Sequence, residues 1–377
     1  MSAVAGTTEQ TVTASLRLVA WEITRRCNLS CAHCRASSED RFYEDELSID
    51  ESYQVIDGVR SVGQPILILT GGEPLVRPDV FEIAGYAVKK GLRVVMGTNG
   101  TLITKALAAK LSEVPVSRVS VSLDFPTAEK QDVFRGRAGA YQEALNGIAN
   151  ALDAGIEIQI NSTITRQNIA DLPDLLGLAA DIGAVAFHPF MLVPTGRGQS
   201  LASEELSAEQ YEEALTWIHD KQIELRDSLF IKPTDAPQYM RILKQRLSKA
   251  NGIQEPAPPT ASRSMQSITR GCLAGTGFCF ISYRGGVQGC GYMDIEAGNV
   301  RNHSFAEVWS NAPLFNELRD FSNLKGKCGI CEFRNICGGC RARAYASTGD
   351  HLESEPNCLY QPQGKHNLKD AEDEEDR

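Results

Sequence analysis

No apolar run in this chain of 377 residues approaches the ~18–20 residues that cross a bilayer, which excludes a membrane-spanning helix. Positive charge is in deficit: 38 Lys and Arg stand against 48 Asp and Glu, for a net charge of −10. A general nucleic-acid binder needs a basic face and is excluded with it, although a local basic pocket is not. Met1–Ser15 lacks the basic start and apolar core of a secretory signal, which predicts a cytoplasmic protein. Cysteine is absent from Arg35 to Gly271, yet the chain has 11 of them. Three sit at Cys27, Cys31 and Cys34, and eight fall between Cys272 and Cys358. Reducing compartments disfavour disulfides, so thiols grouped this way point to metal.

What is present is a globular composition, 42% hydrophobic and 23% charged, at a length that suggests two or three domains. Short apolar runs alternate with amphipathic segments. Strands are predicted at Leu16–Ile23, Pro65–Thr70, Leu92–Gly97, Ser117–Leu123, Ile156–Ser162 and Ala184–Phe190. Helices are predicted at Ser48–Val62, Pro78–Lys89, Thr104–Ser112, Gly139–Ala154, Ile169–Ile182 and Ser207–Leu225. Such alternation means βαβ units, an α/β class and a parallel sheet, here able to form an incomplete barrel. Parallel folds carry their chemistry at the carboxyl ends of strands. The polar motifs fall there: the first cysteine group, Thr70-Gly71-Gly72-Glu73-Pro74, Thr98-Asn99-Gly100, Asp124 and Pro194-Thr195-Gly196-Arg197-Gly198.

Cys27, Cys31 and Cys34 are spaced C-x3-C-x2-C. A cubane iron–sulfur cluster usually takes four cysteines, so three leave one iron open for binding or catalysis. Structural zinc is the alternative. It wants four ligands in two pairs, and His33, between two cysteines, is a strained fourth. This motif after a first strand resembles the radical SAM superfamily. The resemblance implies a [4Fe–4S] cluster on Cys27, Cys31 and Cys34, with the open iron chelated by S-adenosylmethionine. It implies further that a 5′-deoxyadenosyl radical forms there. His33 stands where the family usually has an aromatic residue. Gly71, Gly72, Glu73 and Pro74 match the motif that binds the methionine amino group, the glycines admitting close backbone approach. Thr98, Ser122 and Asp124 match positions that meet the ribose or carboxylate, with Asn161 and Arg166 as weaker matches.

The later cysteines read Cys272-x6-Cys279, Cys290, Cys328-x2-Cys331-x5-Cys337-x2-Cys340 and Cys358, resembling the SPASM extension of radical SAM enzymes. The family core ends C-x3-C, so this chain is one residue tighter in its last gap. The resemblance implies one auxiliary [4Fe–4S] cluster on Cys272, Cys279, Cys290 and Cys340, and another on Cys328, Cys331, Cys337 and Cys358. The eleven thiols then divide without remainder. One auxiliary cluster, with Cys272 or Cys279 free near the substrate, is the alternative, and zinc at Cys328–Cys340 another. The expected organisation is a flexible N-terminus (1–15), a partial (β/α)6 radical SAM barrel (16–228) and a bridging linker (229–267) with a Pro-rich stretch. A SPASM-type iron–sulfur domain (268–362), folding around metal rather than a large apolar core, and an acidic tail (363–377) follow.

Leu16–Glu22, Pro65–Thr70, Leu192–Gly198, Ala274–Phe280 and Cys337–Tyr345 together resemble the radical SAM haem b synthases of the sirohaem-dependent pathway. That likeness implies oxidative decarboxylation of two propionates of iron-coproporphyrin III to vinyls, with a low-potential donor such as flavodoxin or ferredoxin. Four substrate carboxylates call for guanidinium, which binds them bidentately. Arg35, Arg197 and Arg343 are the favoured candidates, beside Arg25, Arg26, Arg284 and Arg341; His188 is a candidate iron ligand. The rivals are a d1-haem-type enzyme that removes propionates, a SPASM peptide maturase, and a non-catalytic electron-transfer or metal-storage protein. The maturase commonly carries an N-terminal wing, whereas 26 residues precede Cys27 here.

Overall fold

The computed structural model describes residues 15–249 and 270–363. Seven strands run parallel in sequence order: β1 (Leu18–Thr24), β2 (Ile66–Gly71), β3 (Arg93–Thr98), β4 (Arg118–Ser122), β5 (Ile158–Ile164), β6 (Ala186–Met191) and β7 (Phe230–Ile231). On the other side of β1 lies β8 (Phe278–Ile281), parallel to it, then antiparallel β9 (Gly286–Cys290) and β10 (Met293–Asn299). β7 and β10 are the two edges, so the sheet stays open. Among the described residues, eight helices accompany the barrel strands: α1 (Ile49–Val62), α2 (Val80–Lys89), α3 (Lys105–Glu113), α4 (Ala128–Arg135), α5 (Ala140–Asp153), α6 (Leu172–Asp181), α7 (Ala208–Glu224) and α8 (Gln238–Lys249).

Strand alternation gives the sheet two unlike faces. In register, Trp21, Leu69, Met96, Val119 and Ile158 form a row of wholly buried side chains in the main core. Each contributes on the order of 1.5–3 kcal/mol by leaving water. The opposite face is polar. Glu22 aligns with Thr70, Gly97 with Ser120 and Gln159, and Ser122 with Asn161 and His188. A polar inner face between apolar outer rows is what a barrel needs if it is to hold a ligand rather than a packed core.

All six predicted strands and six predicted helices are present within a few residues. Two expectations need correction. Residues 229–249, assigned to a linker, carry β7 and α8; residues 250–269 lie outside the described ones. β7 has two residues and α4 little apolar periodicity, so neither stood out by pattern. The second unit also does not fold around metal alone. β8–β10 extend the barrel sheet, and α9 (Phe305–Asn311) and α10 (Pro313–Arg319) bury Phe305, Val308, Trp309, Phe315 and Leu318 in the same core as the barrel. Helix α1 reaches this unit directly: a Cβ on Gly58 would lie 2.9 Å from Phe305 Cβ. Two short helices complete the cysteine-rich end, α11 (Gly326–Ile330) and α12 (Arg341–Thr348).

Candidate active site

The chain leaves β1 at Thr24 and turns into the loop carrying Cys27, Cys31 and Cys34. Cys27 and Cys31 are 6% and 8% exposed. Burial pushes the Cys27 thiol up to about 12 and raises Cys31 as well, so thiolates persist here only against a compensating cation or metal. Each sulfur receives an N–H. Leu29 N–H and Asn99 Nδ2 donate to Cys27 Sγ (3.4 and 3.9 Å), Arg135 Nη1 to Cys31 Sγ (3.7 Å), and Ser38 N–H to Cys34 Sγ (3.4 Å). Donors aimed at sulfur stabilise negative charge on it, which suits a thiolate-ligated cluster.

Remote elements hold the loop. Ala32 N–H donates to Phe134 C=O (2.9 Å) and Ser30 N–H to Arg135 C=O (3.3 Å), filling carbonyls that the end of α4 leaves free. Arg135 also forms a buried ion pair with Asp124, whose Oδ1 accepts from Thr163 N–H (2.7 Å). Arg197 clasps the other side: Nε donates to Cys31 C=O (2.9 Å), Nη1 to Ser38 C=O (2.7 Å), and its own N–H to Cys34 C=O (3.0 Å). His33 stacks on Phe134 with ring centroids 4.5 Å apart. Burial holds it down to about 4, hence neutral at pH 7, and its buried Nδ1 has no partner.

The Gly-Gly-Glu-Pro segment closes on the same loop. Gly72 N–H donates to Thr24 C=O and Glu73 N–H to Arg26 C=O, both 2.8 Å. A Cβ on Gly71 or Gly72 would collide with the carbonyls of Thr24 or of Arg25 and Arg26. Glu73 is fully buried and accepts from Thr98 Oγ1 (2.7 and 2.9 Å), Asn99 N–H (2.7 Å) and Leu75 N–H (3.1 Å).

The later thiols form two groups. Cys328, Cys331, Cys337 and Cys358 line one cavity with Arg241 and Lys327. Their sulfurs receive local N–H groups: Phe333 to Cys331 (3.4 Å), Gly339 to Cys337 (3.5 Å), and Glu355 to Cys328 (3.4 Å). Cys272 is an electrostatic neighbour of both Cys290 and Cys340. Cys279 is not among them. It is paired in register with Val19, wholly buried in the core, and faces Arg319. Phe280 pairs with Gln288, so Cys290 shares their face of the sheet and Cys279 takes the other. Across the described residues no three His, Cys, Asp or Glu side chains converge closely enough to share a single ion. Each iron of a cubane takes one thiolate, a wider spacing.

A model of the radical SAM superfamily matches residues 21–179, and one of an iron–sulfur cluster-binding domain, SPASM, matches residues 272–341. Over 346 residues the chain is 49% identical to an AdoMet-dependent heme synthase of Methanosarcina barkeri, covering 92% of this chain and 97% of that one. The chain belongs to the radical SAM superfamily. An AdoMet-dependent heme synthase of Nitratidesulfovibrio vulgaris is 48% identical over 92% of this chain and 93% of its own. In fold, the radical SAM chain resembles Streptococcus suis SuiB bound to S-adenosylmethionine: TM-score 0.71, 15% identity, 92% of this chain and 78% of that one.

The radical SAM loop, Gly71–Pro74, Thr98 and Asp124 thus come together, but several expected roles change. The donors of Gly72 and Glu73 and the carboxylates of Glu73 and Asp124 are engaged within the protein, so these residues brace the loop. Arg35 does not stand free for a substrate: Nη2 pairs with Glu22 (2.9 Å), Nη1 donates to Gly291 C=O (3.2 Å), and the guanidinium covers Phe280. Arg197 is committed to loop carbonyls, leaving one buried Nη2 unpaired. Arg343 is wholly buried between Glu205 and Glu355 and bonds the carbonyls of Met191, Leu192 and Asp235. Arg341 bonds the carbonyls of His351 and Glu353, while Arg26 pairs with Asp40 and Arg284 with Asp45. Arg166 is exposed.

His188 lies in register with Asn161 and Ser122 on the polar face. Gln159 Nε2 bonds both Asn161 Oδ1 (2.7 Å) and His188 Nδ1 (3.1 Å). The other ring nitrogen of His188, Nε2, is buried without a partner. Arg135, and Asn99 as a sulfur donor, did not stand out in the sequence. Phe134-Arg135-Gly136 was a usable helix-stop signal, since Gly136 takes φ +70°.

Proposed function

We propose that this chain is a haem synthase that oxidatively decarboxylates two propionates of iron-coproporphyrin III to vinyls, yielding haem b. The observation that carries the reading is the near-full-length identity to AdoMet-dependent heme synthases. The site is consistent with it: two buried thiols and one half-buried thiol, all with N–H support, follow β1 in a barrel whose inner sheet face is polar. Cys27, Cys31 and Cys34 would hold a [4Fe–4S] cluster, and His33, Thr98, Ser122 and Asn161 would frame S-adenosylmethionine. Together those groups supply, when bound, a hydrogen-abstracting radical. Each propionate must then lose a hydrogen atom, CO2 and one electron.

The chain's own part is orientation, support and exclusion of water. Arg135 holds charge on Cys31 and is itself fixed by Asp124. Neutral His33 on Phe134 offers a flat wall. The Nε2 of His188 on the inner face has no partner within the protein and, when protonated, suits a substrate carboxylate. Cys328, Cys331, Cys337 and Cys358 would hold an auxiliary cluster in the cavity they line, and a low-potential protein such as flavodoxin or ferredoxin would supply the electrons. No helix among the described residues is long and apolar enough to cross a membrane, and we place the enzyme in the cytoplasm.

Anaerobic incubation with S-adenosylmethionine, reductant and iron-coproporphyrin III should give haem b, with a shifted Soret band on substrate binding. Products lacking whole propionates would favour the d1-haem-type reaction. No spectral change and no vinyl product would sink the assignment.

A further inference from the structure

The thiol separated from its expected set leaves an auxiliary site one ligand short. Cys279 points into the apolar core on the sheet face opposite Cys290, in register with the wholly buried Val19. No backbone N–H is directed at its sulfur among the described residues, unlike Cys290, Cys331, Cys337 and Cys358, which each receive the N–H two residues on. A cluster on Cys272, Cys290 and Cys340 therefore needs another fourth group or keeps one iron open.

Asp235 is at that place. It is an electrostatic neighbour of both Cys290 and Cys340. Two further contacts fix it there. Arg343 Nη1 takes the Asp235 carbonyl (3.0 Å), while Arg343 N–H donates to Cys340 Sγ (3.4 Å). Pro237, two residues on, packs against Gly271, whose Cβ would lie 2.7 Å from Pro237 Cβ, next to Cys272. The backbone at Asp235 is in the left-handed region, φ +56°, which few non-glycine residues adopt. Its Oδ2 is buried with no hydrogen-bond partner, although Arg343 and Lys232 are nearby. Arg343 bonds the carbonyl of Asp235 in preference to the carboxylate. A residue in the left-handed region, presenting an unpartnered buried oxygen beside two thiols that both neighbour Cys272, has the form of a ligand awaiting its metal.

We propose that the auxiliary cluster nearer the barrel is held by Cys272, Cys290, Cys340 and the carboxylate of Asp235, and that Cys279 is a core residue. This rests on the reading that two auxiliary clusters are present. A carboxylate in place of a thiolate would make this cluster electronically distinct from the all-cysteine one and easier to reduce, as other non-thiolate ligands do.

The test uses full-length, reconstituted protein with Cys27, Cys31 and Cys34 replaced by Ala, so that only auxiliary signals remain. About 8 Fe per chain is expected, and about 4 would overturn the two-cluster reading itself and this site with it. In that background Cys279→Ala should keep both the iron and the EPR spectrum of the reduced protein. Asp235→Asn, isosteric and safe for folding, should change the g-values of one cluster or remove about 4 Fe. Asp235→Cys should restore full iron and shift one reduction potential downward. Loss of about 4 Fe in Cys279→Ala, or unchanged spectra and potentials in both Asp235 variants, would overturn the proposal.

Discussion

The loop at Cys27–Cys34 and the segment Cys328–Cys358 both gather thiols, but they are built on opposite plans. The first is assembled by the whole barrel. Its sulfurs and carbonyls are held by Asn99, Arg135 and Arg197, which are 72, 104 and 166 residues from their partners along the chain. The second supports itself: Phe333, Gly339, Arg341 and Glu355 donate to sulfurs of the same short segment. A site built from distant parts is positioned by the fold and responds to changes anywhere in it. A self-contained site can sit at the margin of the fold and exchange electrons there without disturbing the chemistry.

The largest break in this comparison comes from the first loop's own thiols. Replacing Cys27, Cys31 or Cys34 by Ala should abolish release of 5′-deoxyadenosine, a loss of at least about a thousandfold, while about 8 Fe per chain remain in the auxiliary unit. If cleavage survives, or if auxiliary iron falls with it, the two sites are not independent.

Next in size is Arg135→Lys. Lysine keeps a cation beside Asp124 but loses the fork that reaches Asp124 and Cys31 together. Altered outer support of a metal ligand typically costs about 10–100-fold, and that loss is expected in the rate of S-adenosylmethionine cleavage. The EPR signals of the auxiliary clusters should stay where they are. Equal disturbance of both sets of signals would show a general loosening of the fold instead.

How far the sequence alone reached follows the same division. The strand ends carrying Cys27, Gly71–Pro74, Thr98 and Asp124 were legible because parallel sheets put such motifs at one rim, and short-range spacing identifies them. Arg135, Arg197 and Asp235 act through partners whose proximity only the folded chain creates, so their roles were not legible. Arginines invite this error. Arg35, Arg197 and Arg343 read as substrate anchors in a chain meant for an acidic ligand, yet each is spent on the protein's own carbonyls and carboxylates. Cys279 shows the converse: its spacing fits a ligand set, but strand parity sets it on the sheet face opposite Cys290.

The shared sheet tests whether the two regions are mechanically joined. Gly58→Ala raises the intrinsic helix propensity of α1 by about 1 kcal/mol, yet the added methyl meets Phe305 of α9 at 2.9 Å. Overpacking in such a seam costs about 1–3 kcal/mol, so a net loss of about 1 kcal/mol is expected in thermal or denaturant unfolding. A gain in stability would mean that α9 yields freely and that the units are only loosely docked.

The smallest effect lies at the rim of that seam, where Arg301 from the second unit pairs with Glu51 of α1 (2.6 Å) and reaches the carbonyls of Asp45 and Glu46. The Arg301 guanidinium, with the Ser48 N–H of the helix cap, holds the Glu51 carboxyl down to about 2 from its ordinary 4.5. A carboxylate depressed on folding contributes stability that is fully present above pH 4.5 and lost as pH falls through 2. Both side chains are about one-third exposed, so solvent screening limits the contribution to about 1 kcal/mol or less. Arg301→Gln should remove that part. The difference in unfolding free energy between wild type and variant should be flat from pH 7 to about 5 and shrink toward pH 2. It should also be smaller in high salt, since the pair faces water. A difference that grew on acidification would assign the seam's stability to its apolar contacts and leave the ion pair no part in holding the two regions together.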